Sequence, residues 1–236
     1  VIVAWMSLTK AVSDCSWSEE EDSSEEGINS SEPSTIHCSL RILDFRRNSS
    51  DLLVSSLPGA KHAKRLNVEC SDVFFFESQL RSDHFGELPK LKELNIKFCK
   101  IRQLPPRIFA SLTGLKTLRI NTFNADWTSL VLDPDYESFI GLSLLETLDL
   151  TRNNLNRLPP GLLCPLSAIK TVDLKHNSIE DLESPGLSER VSKSSCQVGI
   201  ENLILSHNGL RSAPSQALTS LKALKRLDLS HHDLGV

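Results

Sequence analysis

At 236 residues, with 39% hydrophobic residues and a formal net charge of -4, the chain has the length and composition of an ordinary single domain. It lacks the basic excess of a nucleic-acid-binding protein, and it contains no run of about 20 apolar residues that would cross a membrane. Because no GxSxG, HExxH or glycine-rich phosphate motif occurs, the sequence predicts no enzymatic activity, no metal and no cofactor.

The leading segment has the features of a secreted amino-terminal cap. Residues 1–13 open with the apolar run VIVAWM, which fits either a signal-peptide remnant or an apolar fragment terminus. Cys15 and Cys38 bracket an acidic, serine-rich stretch, as two cysteines of a cap would. Asn29 and Asn48 each begin an Asn-Ser-Ser acceptor triplet, so both are candidate glycosylation sites, although such triplets also arise by chance.

The rest of the chain carries one repeated pattern. The stretch LETLDLTRNNLNRLPPGLL fits LxxLxLxxNxLxxL, the leucine-rich repeat signature, in which a short strand is followed by a turn and a return path. An earlier, degenerate coil begins at Ala63, which gives about seven coils in all. The first positions of the other six coils are spaced by 24, 30, 24, 31 and 24 residues: Leu91, Leu115, Leu145, Ile169, Ile200 and Leu224.

This register predicts an α/β leucine-rich repeat solenoid shaped as a horseshoe, with a parallel concave β-sheet and an irregular convex side. We expect residues 1–62 to form the amino-terminal segment and cysteine cap, and residues 63–236 to form the coils, ending without a closing cap. The ninth position of a coil, where an amide side chain bonds buried backbone groups, is assigned in the last six coils to Cys99, Phe123, Asn153, Asn177, Asn208 and His232. The two long spacings place insertions outside the strands.

Six cysteines favour an oxidising compartment, because an extracellular solenoid must seal its end and fasten its loops. Cys70 and Cys99 fall at the eighth and ninth positions of adjacent coils, and Cys164 and Cys196 flank the coil with the second insertion. The spacings favour sequential pairing, one of fifteen arrangements. Six free thiols in a cytosolic scaffold are the alternative.

Outward strand positions, read from the repeat register, are the candidate ligand contacts. Apolar residues there have no core to fill, so Phe98 and Ile204 are candidate anchors, and Trp127 in the first insertion is a further candidate that fits packing of the loop equally well. Basic residues outnumber acidic ones among the assigned outward positions, which predicts a positive strip, and a solvated face of mixed charge is the alternative. The polar candidates are Lys97, Arg119, Arg152, Lys175, His176 and His207.

The order of motifs resembles the start of an arthropod Toll receptor ectodomain, closest to the long Toll group that includes the eighteen-wheeler type. The matching segments are DCSWSEEE, IHCSLRILDF, AKRLNVEC and LKELNIKFCKIRQLPPRIF, followed by a serine-rich insertion closed by a cysteine. The resemblance implies an extracellular receptor region that binds a protein ligand, with a cystine-knot cytokine of the Spätzle kind as the best candidate. It implies a membrane span and a TIR domain outside this chain, and leaves open the pairing of two receptors.

Two other classes remain. A secreted or cell-surface leucine-rich adhesion or matrix protein would share the cap and the acceptor triplets. A cytosolic leucine-rich scaffold would have reduced cysteines.

Overall fold

The computed structural model describes residues 14–18, 34–43, 54, 57–72, 76–85, 88–124, 129–182, 198–212, 218–219 and 221–232. Within them the chain forms eleven strands and two short 3-10 helices, Ala60–His62 and Ser82–Phe85. The strands are β1 Asp14–Ser18, β2 Thr35–Leu40, β3 Arg65–Cys70, β4 Glu93–Lys97, β5 Gln103–Leu104, β6 Thr117–Asn121, β7 Asp133–Pro134, β8 Thr147–Asp149, β9 Thr171–Asp173, β10 Asn202–Ile204 and β11 Arg226–Asp228.

Nine of these strands form one sheet, in the order β1-β2-β3-β4-β6-β8-β9-β10-β11. All neighbours from β2 onward are parallel and pair in register, so equivalent repeat positions lie side by side. The apolar pair of each strand points into the coil: Leu94 and Ile96 are buried in β4, as are Leu118 and Ile120 in β6. The parallel concave sheet of a leucine-rich repeat solenoid is therefore confirmed.

The amino-terminal cap is an antiparallel hairpin added to the edge of that sheet. β1 pairs with β2, with Cys15 opposite Cys38, and these two cysteines form a disulfide. The indole nitrogen of Trp17 donates a hydrogen bond to the carbonyl oxygen of Pro58, which ties the hairpin to the turn before β3. Because β2 is parallel to β3, the cap continues the stack and covers the core of the first coil.

A second disulfide joins Cys70 at the end of β3 to Cys99 just after β4, with 4.8 Å between their Cα atoms. That separation is the spacing of neighbouring strands, so the bond connects adjacent coils. Cys164 is also disulfide-bonded. The prediction for Cys196 lies outside the described residues, as do those for residues 1–13, Asn29, Asn48 and Trp127.

Among the described residues, the convex side is irregular apart from one short parallel pair, β5 with β7, and an isolated parallel bridge between Ser78 and Ile101. Three phenylalanines line up beneath it: Phe85 and Phe109 have ring centroids 5.7 Å apart, and Phe109 and Phe139 6.4 Å apart. Gly141, at φ +100°, lets the coil close on this spine, since a Cβ there would lie 2.9 Å from the Cα of Ala110.

Asparagines at the ninth position form a ladder through the later coils, and we call Asn153, Asn177 and Asn208 the asparagine ladder. The amide of Asn153 donates to the carbonyl of Ile120 and accepts from the backbone N–H of Thr122, both in the preceding coil. The assignment of Phe123 to the asparagine position is wrong. Asn124 is the buried residue there, and its amide donates to the carbonyl of Ile101.

The displaced residue has a structural cause. β4 and β6 end at paired residues, Lys97 and Asn121, but the left-handed Phe98 follows Lys97 directly, whereas Thr122 comes between Asn121 and the left-handed Phe123. Phe123 therefore takes the place that an eighth-position residue holds elsewhere, and one extra residue of the first long spacing lies between the strand and the turn. The boundary between the cap segment and the coils at residue 62 stays a prediction.

Candidate functional site

The outward face of the parallel sheet is organised in rows, because the strands pair in register. Lys97 is exposed at the end of β4, Arg119 is half-buried in the middle of β6, and Ile204 is half-buried at the end of β10. Ile204 lies directly between Asp173 of β9 and Asp228 of β11. The predicted apolar anchor therefore has an acidic side chain on each side.

A hydrogen-bonded network fixes the first three coils of this face. The carboxylate of Glu93 is contacted by the guanidinium groups of Arg65 and Arg119, and the amide of Asn95 donates to both Glu93 and Asn67. Burial alone would raise the pKa of Glu93. The hydrogen bonds from Arg65 and Asn95, together with the charge of Arg119, outweigh burial and lower the pKa. Arg119 is thus held in place as part of this network.

The charge balance of the face favours the mixed alternative over a positive strip. Five lysines counted among the outward positions precede the strands and lie on the rim: Lys64, Lys92, Lys116, Lys170 and Lys225. The strand rows themselves hold basic and acidic residues in equal number: Arg65, Lys97, Arg119, Lys175 and Arg226 against Glu69, Glu93, Asp149, Asp173 and Asp228. A partner of this face must therefore match both signs of charge.

The middle of the face is acidic. Asp149 and Asp173 are neighbours in register on β8 and β9. Burial, and then the charge of Asp149, raise the pKa of Asp173, although the backbone N–H of Lys175 donates to its carboxylate. The Asp149 carboxylate accepts from the backbone N–H of Thr151 and the amide of Asn121. Both carboxylates are therefore oriented by the backbone turn that follows each strand.

That turn carries the most regular feature of the molecule, a row of side chains stacked from coil to coil. We call it the ring ladder, and every member has a left-handed backbone with φ between 54° and 62°: Phe98, Phe123, Arg152, His176, His207 and His231. The backbone N–H of His176 donates to the carbonyl of Ser206 in the next coil, and that of His207 donates to the carbonyl of Ser230. Inter-coil bonds thus hold the unusual conformation.

The side chains of the ladder are in ring contact. Phe98 and Phe123 stack with centroids 4.4 Å apart, and the guanidinium of Arg152 lies 5.5 Å from the Phe123 centroid. Further along, His176 and His207 stack at 4.2 Å, and His207 and His231 at 4.0 Å. Desolvation, and then the positive charge of His231, lower the pKa of His207. The ladder is a semi-exposed strip of π faces along one edge of the sheet.

The structure brings four predicted contact residues together in this ladder: Phe98, Arg152, His176 and His207. Phe98 was placed on a strand by the repeat register, but it lies in the left-handed turn after β4 and is half-buried against Phe123. Lys97 and Lys175 each immediately precede a ladder member. Sequence reasoning did not select Phe123 or His231, although phenylalanine or histidine rings occupy this turn in five of the six coils.

No helix among the described residues has the length and apolar character needed to cross a bilayer. Within the same part of the chain, no three His, Cys, Asp or Glu side chains are grouped so that they would hold a metal ion.

The stacked coils, the asparagine ladder and the disulfide-linked hairpin define a leucine-rich repeat solenoid with an amino-terminal cap. Family models described as leucine rich repeat match residues 90–112 and 131–179. Lumican of Oryctolagus cuniculus is 32% identical over 74% of this chain and 79% of its own length. The chain belongs to the leucine-rich repeat family.

Within that family, Toll-like receptor 7 of Drosophila melanogaster is 36% identical over 94% of this chain, and the chain spans 14% of that receptor. A crystal structure of the mouse RP105/MD-1 complex has the same fold, with a TM-score of 0.53 and 21% identity over 73% of this chain and 31% of that one. The receptor match supports a Toll-like leucine-rich repeat ectodomain. None of these matches indicates a catalytic family.

Proposed function

We propose that the chain is part of the extracellular region of a Toll-type receptor of the long Toll group, and that it binds a protein ligand along the ring ladder and the adjacent sheet face. The observation that carries this proposal is the ladder itself. Stacked rings held by inter-coil backbone bonds form a rigid surface, so little side-chain entropy is lost when a partner covers it. Semi-exposed aromatic and guanidinium groups are also the residue types that dominate binding energy at protein interfaces.

The expected ligand is a cystine-knot cytokine of the Spätzle kind. Mixed charge on the sheet face favours a partner with complementary basic and acidic groups. The matching of these charges would fix the position of the ligand along the face. The disulfides Cys15–Cys38 and Cys70–Cys99, together with the disulfide-bonded Cys164, support an oxidising location outside the cell. Pairing of two receptor chains around such a ligand stays part of the proposal.

Binding of a purified cystine-knot cytokine to the immobilised chain tests the proposal. We expect Phe123→Ala or Ile204→Lys to weaken binding by about 2 kcal/mol, roughly 30-fold, because each removes an apolar side chain from the proposed contact surface. Tyr136→Ala is the matched control, since Tyr136 is 59% exposed beside β7 on the convex side. Unchanged binding in both face variants, or an equal loss in the control, would contradict the proposal.

A secreted or cell-surface matrix protein is the second candidate, favoured by the coverage of the lumican match, 79% of that protein. The downstream reading frame separates the two. A membrane span followed by a TIR domain is expected for the receptor, and further coils ending in a secreted terminus would support the matrix protein.

A further inference from the structure

A second charged surface lies on the rim of the solenoid, at the residue that immediately precedes each strand. Because the strands are stacked in register, these residues also stack: the backbone N–H of Lys92 donates to the carbonyl of Lys64 at 2.7 Å, and that of Lys116 donates to the carbonyl of Lys92 at 2.8 Å. Neighbouring side chains in the row are thus about 4.8 Å apart at their origin. In chain order the row reads Lys64, Lys92, Lys116, Glu146, Lys170, Glu201 and Lys225.

The later part of this row neutralises itself. Glu146 is 3.0 Å from the ammonium of Lys116 and 2.9 Å from that of Lys170, and Glu201 is 2.9 Å from that of Lys225. Hydrogen bonds from Lys170 and then Lys116 lower the pKa of Glu146 to about 2. Alternation of lysine and glutamate therefore provides a partner for each charge in these coils.

The early part of the row is built differently, because lysine follows lysine without an intervening carboxylate. In the part of the chain that the structure describes, no carboxylate lies within ion-pair distance of Lys61, Lys64, Lys90 or Lys92. The Lys92 ammonium instead donates to the carbonyl of Gly114 at 3.2 Å. We call the exposed group Lys61, His62, Lys64, Lys90, Lys92 and Lys116 the basic rim; Lys116 closes it, because it shares the single carboxylate of Glu146 with Lys170 and is only partly neutralised.

Two members of the basic rim contact each other. The ammonium of Lys90 lies 3.1 Å from Nδ1 of His62, so two basic side chains meet at the surface. The nearest acidic side chain of the sheet, Glu93, is already engaged by Arg65 and Arg119. These cations create a locally positive potential on a chain whose net charge is -4, and an external anion would neutralise it.

We propose that the basic rim binds a linear polyanion, and that this partner is a sulfated polysaccharide chain. The cations form an open line along the stacking axis, so a linear chain with regularly repeated sulfate groups can contact several coils at once. No aromatic side chain belongs to the rim, whereas surfaces for single-stranded nucleic acid use aromatic stacking platforms. The disulfides favour the extracellular space, where sulfated polysaccharides are found. This surface is separate from the ring ladder.

Retention of the full chain on immobilised heparin, a sulfated polysaccharide, tests the proposal. The rim variant is Lys64→Ala with Lys92→Ala, and the matched control is Lys170→Ala with Lys225→Ala, which removes two rim lysines that have carboxylate partners. Both variants change the net charge equally. We expect the rim variant to lose affinity by about tenfold or more, and the slope of log affinity against log salt to fall by about 2, because two contacts that release counterions are lost. The control should stay within about threefold of the parent chain.

Three results would overturn the inference. The first is parent-chain retention no stronger than on unsulfated dextran. The second is an equal loss of heparin affinity in the rim variant and its control, which would mean that heparin binding depends on the overall charge of the chain and not on the basic rim. The third is competition by single-stranded DNA as strong as that by heparin, which would make the partner a nucleic acid. Non-reducing gels and thermal unfolding check that each variant is folded, and unchanged cytokine binding by the rim variant separates this surface from the proposed ligand site.

Discussion

Replacement of Asn177 by leucine tests whether the asparagine ladder holds adjacent coils together. The Asn177 side chain makes five hydrogen bonds to backbone groups, and four of them are 3.0 Å or shorter. Its oxygen accepts from the N–H groups of Asn153 at 3.0 Å and Leu155 at 2.9 Å, and its nitrogen donates to the carbonyls of Leu150 at 2.9 Å and Leu174 at 2.8 Å. Leucine has a similar shape but satisfies none of these groups.

The expected loss follows from those four groups. Leaving a buried backbone group unpaired costs about 1–3 kcal/mol, and the lower bound applies where the chain relaxes. At about 1 kcal/mol for each of the four groups, Asn177→Leu should reduce the free energy of unfolding by about 4 kcal/mol. A loss of that size is a large fraction of the roughly 5–15 kcal/mol that stabilises a typical domain. Three of the four partners lie in the preceding coil, which should therefore lose its attachment first.

Urea unfolding with the disulfides intact, followed by circular dichroism, measures this loss. Asn202→Leu is the control, because Asn202 lies on the sheet face and its amide donates to the hydroxyl of Thr171 at 3.1 Å. We expect the control to change stability by less than about 1 kcal/mol, since water replaces that bond. Equal, small losses in both variants would refute the assignment of inter-coil cohesion to the ladder.

Three further predictions concern charge and cross-links. Asp173→Asn should stabilise the chain at pH 7, because the pKa of Asp173 is raised in the fold and the ionised carboxylate is disfavoured there. The stability associated with the protonated carboxyl group is present at low pH and is lost as pH rises through the folded-state pKa. The gain in thermal midpoint over the parent chain should therefore disappear near pH 3. The carboxylate of Glu146 should titrate near pH 2 by NMR. The stability that its ion pairs contribute should be present above pH 4.5 and lost as pH falls toward 2. In a Lys170→Ala variant, the Glu146 carboxylate should titrate at higher pH. Replacing Cys70 and Cys99 by serine should cost about 3–4 kcal/mol in urea unfolding, because the bond closes a loop with a sequence separation of 29, and a loss below about 1 kcal/mol would contradict this.

Much of the fold is encoded in features that a sequence displays directly. The alternation of leucines fixes which side of each strand is buried, and its recurrence at the same offsets within every coil fixes the parallel register. Cys15 and Cys38 also reveal the cap, since cysteines bracket it before the first coil. These predictions depend on periodicity, which is a property of the chain itself.

The candidate site was harder to predict, because it depends on one-residue shifts that periodicity conceals. One residue, Thr122, is inserted between β6 and its turn, so Asn124 fills the asparagine position and Phe123 joins the ring ladder. The repeat register also placed rim lysines on the strand face, where they raised the apparent positive charge. The row that a side chain joins is determined by where its coil turns.

The ring ladder and the asparagine ladder are two consequences of one turn. After each strand the chain turns out of the sheet through a residue with a left-handed backbone conformation. This turn directs the next side chain inward, as Asn153 is directed after Arg152. The left-handed residue then has its own side chain directed outward, at the same height in every coil. Because the inward amide bonds the neighbouring coil, the outward rings are brought within stacking distance. The rigidity of the proposed binding surface therefore has its origin in the buried asparagines, and loosening those amides should weaken ligand binding even though no ligand touches them.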